Sequence, residues 1–257
     1  MFLPAQKRDA ITALYAFCRE VDDIADECTE LHIAQVKLAW WRGEIENLYN
    51  SKPVHPVTKA LLQHVHTFKL SADHFYEIID GMEMDLNFNR YADFEQLQLY
   101  CYRVASVVGL LSAQIFGFKN QNTLKFANDL GMAFQLTNII RDVGEDARRN
   151  RIYLPLDELA QFNVSEDDIL HSRESDAVKQ LLEFQIARAE EHYDRAINEL
   201  PAEDRKSQRV GLMMAAIYRT VLREIKADGA EKVLNTRISL GAVRKFWLAL
   251  QVWVKNI

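Results

Sequence analysis

Residues 15–27 read YAFCREVDDIADE, Tyr15 to Glu27, and they set Asp22, Asp23 and Asp26 inside a segment with the apolar spacing of a core helix. Ile11, Leu14, Cys18, Val21 and Ala25 recur at helical intervals and form one apolar stripe. A helix turns ~100° per residue, so Tyr15, Arg19, Asp22 and Asp26 fall on a second, polar stripe, with Asp23 beside it. Residues 134–146, FQLTNIIRDVGED, repeat the pattern with Gln135, Asn138, Asp142 and Asp146 in line and Glu145 adjacent.

A lone Asp pair at i, i+4 usually marks a solvated helix face. Two matched stripes ask for more, because like charges at that spacing destabilise a helix by a few tenths of a kcal/mol. Gly144 costs ~1 kcal/mol more relative to Ala. A divalent cation would offset this, since Mg²⁺ takes hard oxygen ligands and is held by a few carboxylates together with substrate phosphates. Asp22, Asp23, Asp26, Asp142, Glu145 and Asp146 are therefore the expected metal-binding residues, holding several ions between two helices. These six acids equal the net charge of −6.

Arginines accompany both stripes. Arg19 and Arg151 suit bidentate contact with the oxygens of a metal-bridged diphosphate, whereas Arg148 and Arg149 read as local helix partners of the acids.

The rest of the chain reads as helix. With 9 Gly and 5 Pro in 257 residues there is little turn chemistry for a sheet-rich protein. Apolar residues keep helical spacing near 31–50, 57–69, 72–88, 94–116, 122–146, 175–199 and 203–227, and Pro53, Pro56, Gly117, Pro155, Pro201 and Gly229 punctuate them. Asp93, with Gln96 three residues on, has the form of a capping box, and Ser239 precedes the last helix. No linker or repeat divides the chain, so 1–257 is expected to be one all-α domain, a helical bundle with a central cavity.

A net charge of −6 argues against nucleic-acid binding, which needs clustered Lys and Arg. Three cysteines without CxxC spacing suggest neither disulfides nor zinc and fit a reducing cytoplasm. Residues 242–257, AVRKFWLALQVWVKNI, have two readings: a terminal helix docked on the bundle, or an interfacial helix touching the inner membrane face. No βαβ dinucleotide motif is present, and NADPH is not expected. A diiron bundle would need Glu-x-x-His elements, which the sequence lacks, and a non-catalytic helical scaffold would tolerate loss of the acids.

The stretches LPAQKRDAITALYAFCREVDDIADE, YCYRVASVVGLLSAQIFG and FQLTNIIRDVGEDARRNRIYLP resemble successive signatures of the squalene/phytoene synthase family, over nearly the whole chain. The resemblance implies an isoprenoid-synthase fold and Mg²⁺-dependent head-to-head condensation of two prenyl diphosphates, with downstream isoprenoid enzymes as partners. By the same likeness, Asp22 and Asp26 match one metal motif and Asp142 and Asp146 the other. Gln135 and Asn138 lead into the second motif, and Tyr15, Tyr100, Tyr153 and Tyr218 surround the diphosphates and reacting carbons.

Val104, Val107, Gly109 and Leu110 match the helix lining the hydrocarbon tunnel, where Ser106 replaces the more usual Gly. Relatives carry a further stretch before FLPAQKR, so part of the usual N-terminal segment is expected to be lacking. KLAWWRGEI at 37–45, Glu83 and the run after Asp142 look most like presqualene diphosphate synthases of bacterial hopanoid pathways, acting on farnesyl diphosphate. Phytoene, dehydrosqualene and squalene synthases are the alternatives within the family.

Overall fold

The structure, a computed structural model, describes residues 3–28 and 30–255. Met1, Phe2, Asn256 and Ile257, the ends of the expected domain and of the terminal helix, lie outside the described residues. The expected all-α architecture is found. Helices α1 (Ala5–Glu27), α2 (Leu31–Tyr49), α3 (Pro56–Thr67) and α4 (Ala72–Asn87) pack on one another, and their apolar stripes close one core around Phe17, Leu38, Ile45, Phe75 and Ile79. Asn122–Arg148, Asp176–Glu199 and Arg209–Asp228 build the second core, and are α7, α10 and α11 in chain order.

Between the two cores runs one continuous helical rod made of α5 (Phe94–Cys101), a π turn at Tyr102–Ser106, and α6 (Val107–Phe116). By length and composition this rod could cross a membrane, with mean hydropathy 1.4. Its packing against α1, α4 and α7 explains the apolarity instead, since it serves as a wall common to both cores. The short α8 (Leu156–Gln161) and α9 (Glu166–Leu170) cover one end of α7 and α10, and α12 (Ala242–Lys255) lies on α11.

Local signals set several boundaries. Ser71, Asp93 and Ser175 accept bonds from Asp73, Gln96 and Val178 N–H groups at the starts of α4, α5 and α10. The reciprocal half of the box at Asp93 differs from expectation, for Gln96 Oε1 accepts from Ala92 N–H. The helix expected at 203–227 begins at Arg209 because Asp204 is engaged elsewhere. Its buried carboxylate accepts from Lys119 N–H at 2.8 Å, Asn120 N–H at 3.0 Å and Thr123 Oγ1 at 2.7 Å, satisfying the turn that starts α7.

The terminal helix docks on the bundle, as one of its two readings expects. Ala249 is buried, Leu248 and Val252 pack on the second core, and the Arg209 guanidinium lies 3.1 Å from the Trp253 ring centroid. Val243, Phe246, Trp247 and Val254 face solvent.

Candidate active site

A cavity of about 520 Å³ lies between the two cores, walled by α1, α4, the α5–α6 rod, α7 and α11. Its walls are apolar for most of their length, from Ile11, Phe116 and Phe126 at one end, and its polar lining gathers at the other: Arg19, Asp22, Gln135, Asn138, Tyr100 and Tyr218. The polar stripes of α1 and α7 reach the cavity through Tyr15, Arg19 and Asp22 and through Gln135 and Asn138, whereas Asp23, Asp26, Asp142, Glu145, Asp146 and Arg151 lie outside its lining. Close crossings build the wall. A Cβ on Gly131 would come within 2.5 Å of Ser106 Cα, and one on Gly109 within 2.6 Å of Ala127 O, so only glycine lets α7 lie this near the rod.

On α1, Arg19 lies 2.6 Å from Asp23 and 3.5 Å from Asp22. Asp22 borders the cavity while Asp23 turns aside onto Arg19, separating two neighbours that sequence spacing left together. Burial and then Asp26 push the Asp22 carboxyl above the usual range. Asp26 receives Arg151 at 3.1 Å, and Arg149 stands 3.6 Å away. Arg149 was expected to serve its own helix; the end of α7 comes across to α1 and carries it there. Arg151 also donates to Ala25 O at 3.4 Å, and so joins the two acidic segments.

On α7, Asp142 is gripped by Arg141 at 2.5 Å and by Arg237 at 2.9 Å, and Arg237 also lies 3.3 Å from Glu145. Burial, then Asp142, raise the Asp146 carboxyl to about 7. Asn138 donates to Gln135 Oε1 at 3.4 Å, both facing the cavity. Tyr15 stands 69% exposed at the mouth. Tyr218 packs its ring 4.9 Å from Phe134, within the cavity wall.

Tyr100 and Tyr153 meet on a residue that the sequence reading did not single out. Their hydroxyls donate to Asp85, at 2.9 Å from Tyr100 and 2.7 Å from Tyr153, and the two rings stack with centroids 5.3 Å apart. Burial raises Asp85 to about 6, against the lowering effect of those two bonds and of Arg151. Tyr100 lines the cavity; Tyr153 stands behind it. A signal for Asp85 was available: it lies three residues from Met82 and seven from Ile78, an acid on the apolar stripe of α4. Arg237 had none, being far away in sequence and positioned by a turn.

The tunnel helix needs a correction. Val104 and Gly109 line the cavity, but Val107 is fully buried in the first core and Leu110 packs toward the second. In α6 the cavity face is carried by Val108, Gly109, Ser112, Ala113 and Phe116, and at ~100° per residue Val107 points to the opposite side. Ser106 does not narrow the tunnel, since its Oγ is buried against α7 and donates to Asn128 O at 2.8 Å. Glu83 is ion-paired with Arg42 at 3.0 Å, outside the cavity lining.

The donor set fits a hard divalent cation: carboxylates on two helices, with Asp22 and Asp146 each pushed toward protonation by burial and then by a like-charged neighbour. Among the described residues no three acidic, His or Cys side chains converge on one point, so ions held here take further oxygens from a bound anion or water.

The squalene/phytoene synthase family model matches residues 1–244. Phytoene synthase of Arthrospira platensis is 38% identical over 251 residues, covering 91% of this chain and 80% of that protein. The chloroplastic phytoene synthase 1 of Arabidopsis thaliana is 35% identical over 266 residues, and all of this chain spans 62% of its length. Among solved structures, a dehydrosqualene synthase in complex with ligand superposes with TM-score 0.87 at 28% identity, covering 99% of this chain and 89% of that one. Squalene synthase HpnC of Alicyclobacillus acidocaldarius gives TM-score 0.80 at 26% identity, covering 89% and 86%. With that match across nearly all of its length, and with Asp22 of one acidic stripe and Gln135 and Asn138 of the other lining one end of a largely apolar helical cavity, the chain belongs to the squalene/phytoene synthase family.

Proposed function

We propose that the protein is a Mg²⁺-dependent head-to-head prenyltransferase joining two farnesyl diphosphates into presqualene diphosphate, the first committed step toward squalene or hopanoids. One observation carries the reading: Arg19 and Asp22 of α1 and Gln135 and Asn138 of α7 gather at one end of a cavity whose other walls are mostly apolar, with Arg151 joining Asp26 to the end of α7 nearby. That arrangement suits a substrate with a highly charged head and a hydrocarbon tail.

Asp22, Asp26, Asp142 and Asp146, flanked by Asp23 and Glu145, would hold the Mg²⁺, whose charge stabilises the departing diphosphate. Arg19 and Arg151, already at the acids, bind oxygens the metal leaves free, and Arg141 and Arg237 hold Asp142 in place. Gln135 and Asn138 orient the head of the substrate at the mouth. Ionisation breaks the C1–O bond and sends the electron pair out with diphosphate; joining the chains then releases a proton. The apolar walls exclude water that would quench the allylic cation.

Tyr100 and Tyr218 offer ring faces to that cation. Burial and Asp85 hold the Tyr100 phenol protonated, so its hydrogen is committed to Asp85 and its oxygen lone pairs remain free for the cavity. Tyr153 buttresses the same carboxylate, while Tyr15 borders the mouth.

A second reading is favoured by the phytoene synthase names of the curated relatives: condensation of two geranylgeranyl diphosphates. Incubation with Mg²⁺ and farnesyl diphosphate, with and without NADPH, and in parallel with geranylgeranyl diphosphate, separates them. Presqualene diphosphate is expected in both farnesyl diphosphate reactions; a C40 product formed only from geranylgeranyl diphosphate, or squalene formed with NADPH, would overturn the choice of product.

A further inference from the structure

The terminal helix is apolar on two sides, and the bundle uses one of them. Ala249 is buried, with Leu248 and Val252 packed on the second core. Val243, Trp247, Leu250 and Val254 recur at i, i+4, i+7 and i+11 and form a second stripe, with Phe246 beside it. Val243, Phe246, Trp247 and Val254 are each more than half exposed. A surface helix ordinarily turns a polar face outward, so this continuous row of exposed apolar side chains marks a contact surface.

Charge identifies what that surface takes. After Glu231 the chain has no acidic residue but five cations, Lys232, Arg237, Arg244, Lys245 and Lys255, in a protein whose net charge is −6. Lys232 and Arg237 are engaged by Asp228 and Asp142. Arg244 lies 2.6 Å from Glu224, but both side chains are well exposed, and such a pair is weak enough to exchange for a phosphate. Lys245 is exposed. By helical register Arg244 and Lys255 fall along one edge of the apolar stripe. A second copy paired through the stripe about a two-fold axis would set these cations against their own counterparts. An anionic lipid surface meets both halves of the helix, with apolar depth for Phe246 and Trp247 and phosphates for the cations.

The placement of the helix agrees with this. α11, on which α12 lies, lines the cavity with Val210, Gly211, Met214 and Tyr218. A bilayer at α12 is therefore one helix away from the apolar cavity. We infer that the face of α12 formed by Val243, Phe246, Trp247 and Val254 binds the surface of an anionic lipid bilayer, with the two aromatic rings entering the boundary between headgroups and acyl chains. Binding of this kind needs no turnover, so it stands or falls apart from the head-to-head reading.

Flotation of the full chain with vesicles, in the absence of substrate, tests the inference. Phosphatidylcholine vesicles are compared with vesicles that also contain phosphatidylglycerol. The wild type is expected to float with the anionic vesicles and to bind the neutral ones about tenfold more weakly. Phe246→Ser/Trp247→Ser should lower the partition coefficient on anionic vesicles about tenfold or more, while Trp247→Phe keeps it within about twofold. Arg244→Gln/Lys245→Gln should lower it about tenfold and leave neutral-vesicle binding as it was. All four positions are exposed, so the variants should keep the wild-type circular dichroism spectrum and Tm. Should the aromatic double variant fail to fold, the cation double variant decides alone. A wild type that floats with neither vesicle, or folded variants that float as it does, would overturn the inference. So would a dimer in sedimentation that Phe246→Ser/Trp247→Ser dissolves, which would give the face to a second copy.

Discussion

Gly144 lies between Asp142 and Glu145, and the structure gives a reason for it that local sequence does not. A Cβ at this position would lie 2.1 Å from Leu234 O and 2.6 Å from Leu234 C, more than an ångström inside ordinary contact with backbone that cannot rotate away. The turn at Ala230–Leu234 therefore rests directly on the α7 backbone, and the chain leaving it brings Arg237 to Asp142 and Glu145. Gly144→Ala gains ~1 kcal/mol of helix propensity. It also overpacks a tight contact, at a cost of roughly 1–3 kcal/mol or more.

The net expectation is a loss of up to about 2 kcal/mol, which for a domain of this size lowers Tm by up to roughly 8 °C. Displacing the turn by an ångström should also cut turnover about 100-fold, since misplacement of that size at a catalytic centre has effects of this order. Gly43→Ala is the matched control, because an added Cβ there meets nothing within 4 Å. That variant should be stabilised by up to about 1 kcal/mol. Urea unfolding and farnesyl diphosphate turnover on both proteins provide the readout. Equal stabilisation of the two variants, with Gly144→Ala fully active, would refute the argument.

Asp22→Asn and Asp142→Asn should each abolish turnover, a drop of 100-fold or more, while the helical circular dichroism spectrum is kept; an active variant of either kind speaks against the two-stripe mechanism. The acids also predict a pH dependence. Asp85 at about 6 and Asp146 at about 7 are both raised, so the native state retains protons that the unfolded chain releases, and stability falls as pH rises from about 4 through 7. For Asp85 the full shift corresponds to about 3 kcal/mol. Thermal melts of metal-free protein should show this fall, a flatter profile in Asp85→Asn, and a larger stabilisation by Mg²⁺ at pH 7.5 than at pH 5.5; equal profiles for the two proteins would contradict the assignment.

The sequence alone determined the helical class and the two acidic stripes, because both follow from periodicity: a residue's angle around its own helix depends only on its number. Asp22 and Asp26, Gln135 and Asn138, Asp142 and Asp146 were legible for that reason. Which side of a helix meets which neighbour is not a local property. Val107 belongs to a core while Val104 and Gly109 face the cavity because the rod has two cores to serve, and the spacing within SVVGLL does not say which face each takes.

Asp85 took its meaning from Tyr100 and Tyr153, which reach it from two other segments, and Arg237 from a turn that only Gly144 admits. The depth of the cavity likewise belongs to no single helix. It is set where Phe116, Phe126 and Gln208, distant along the chain, close the same end, because bond rotations fix helices locally but only packing fixes the space between them.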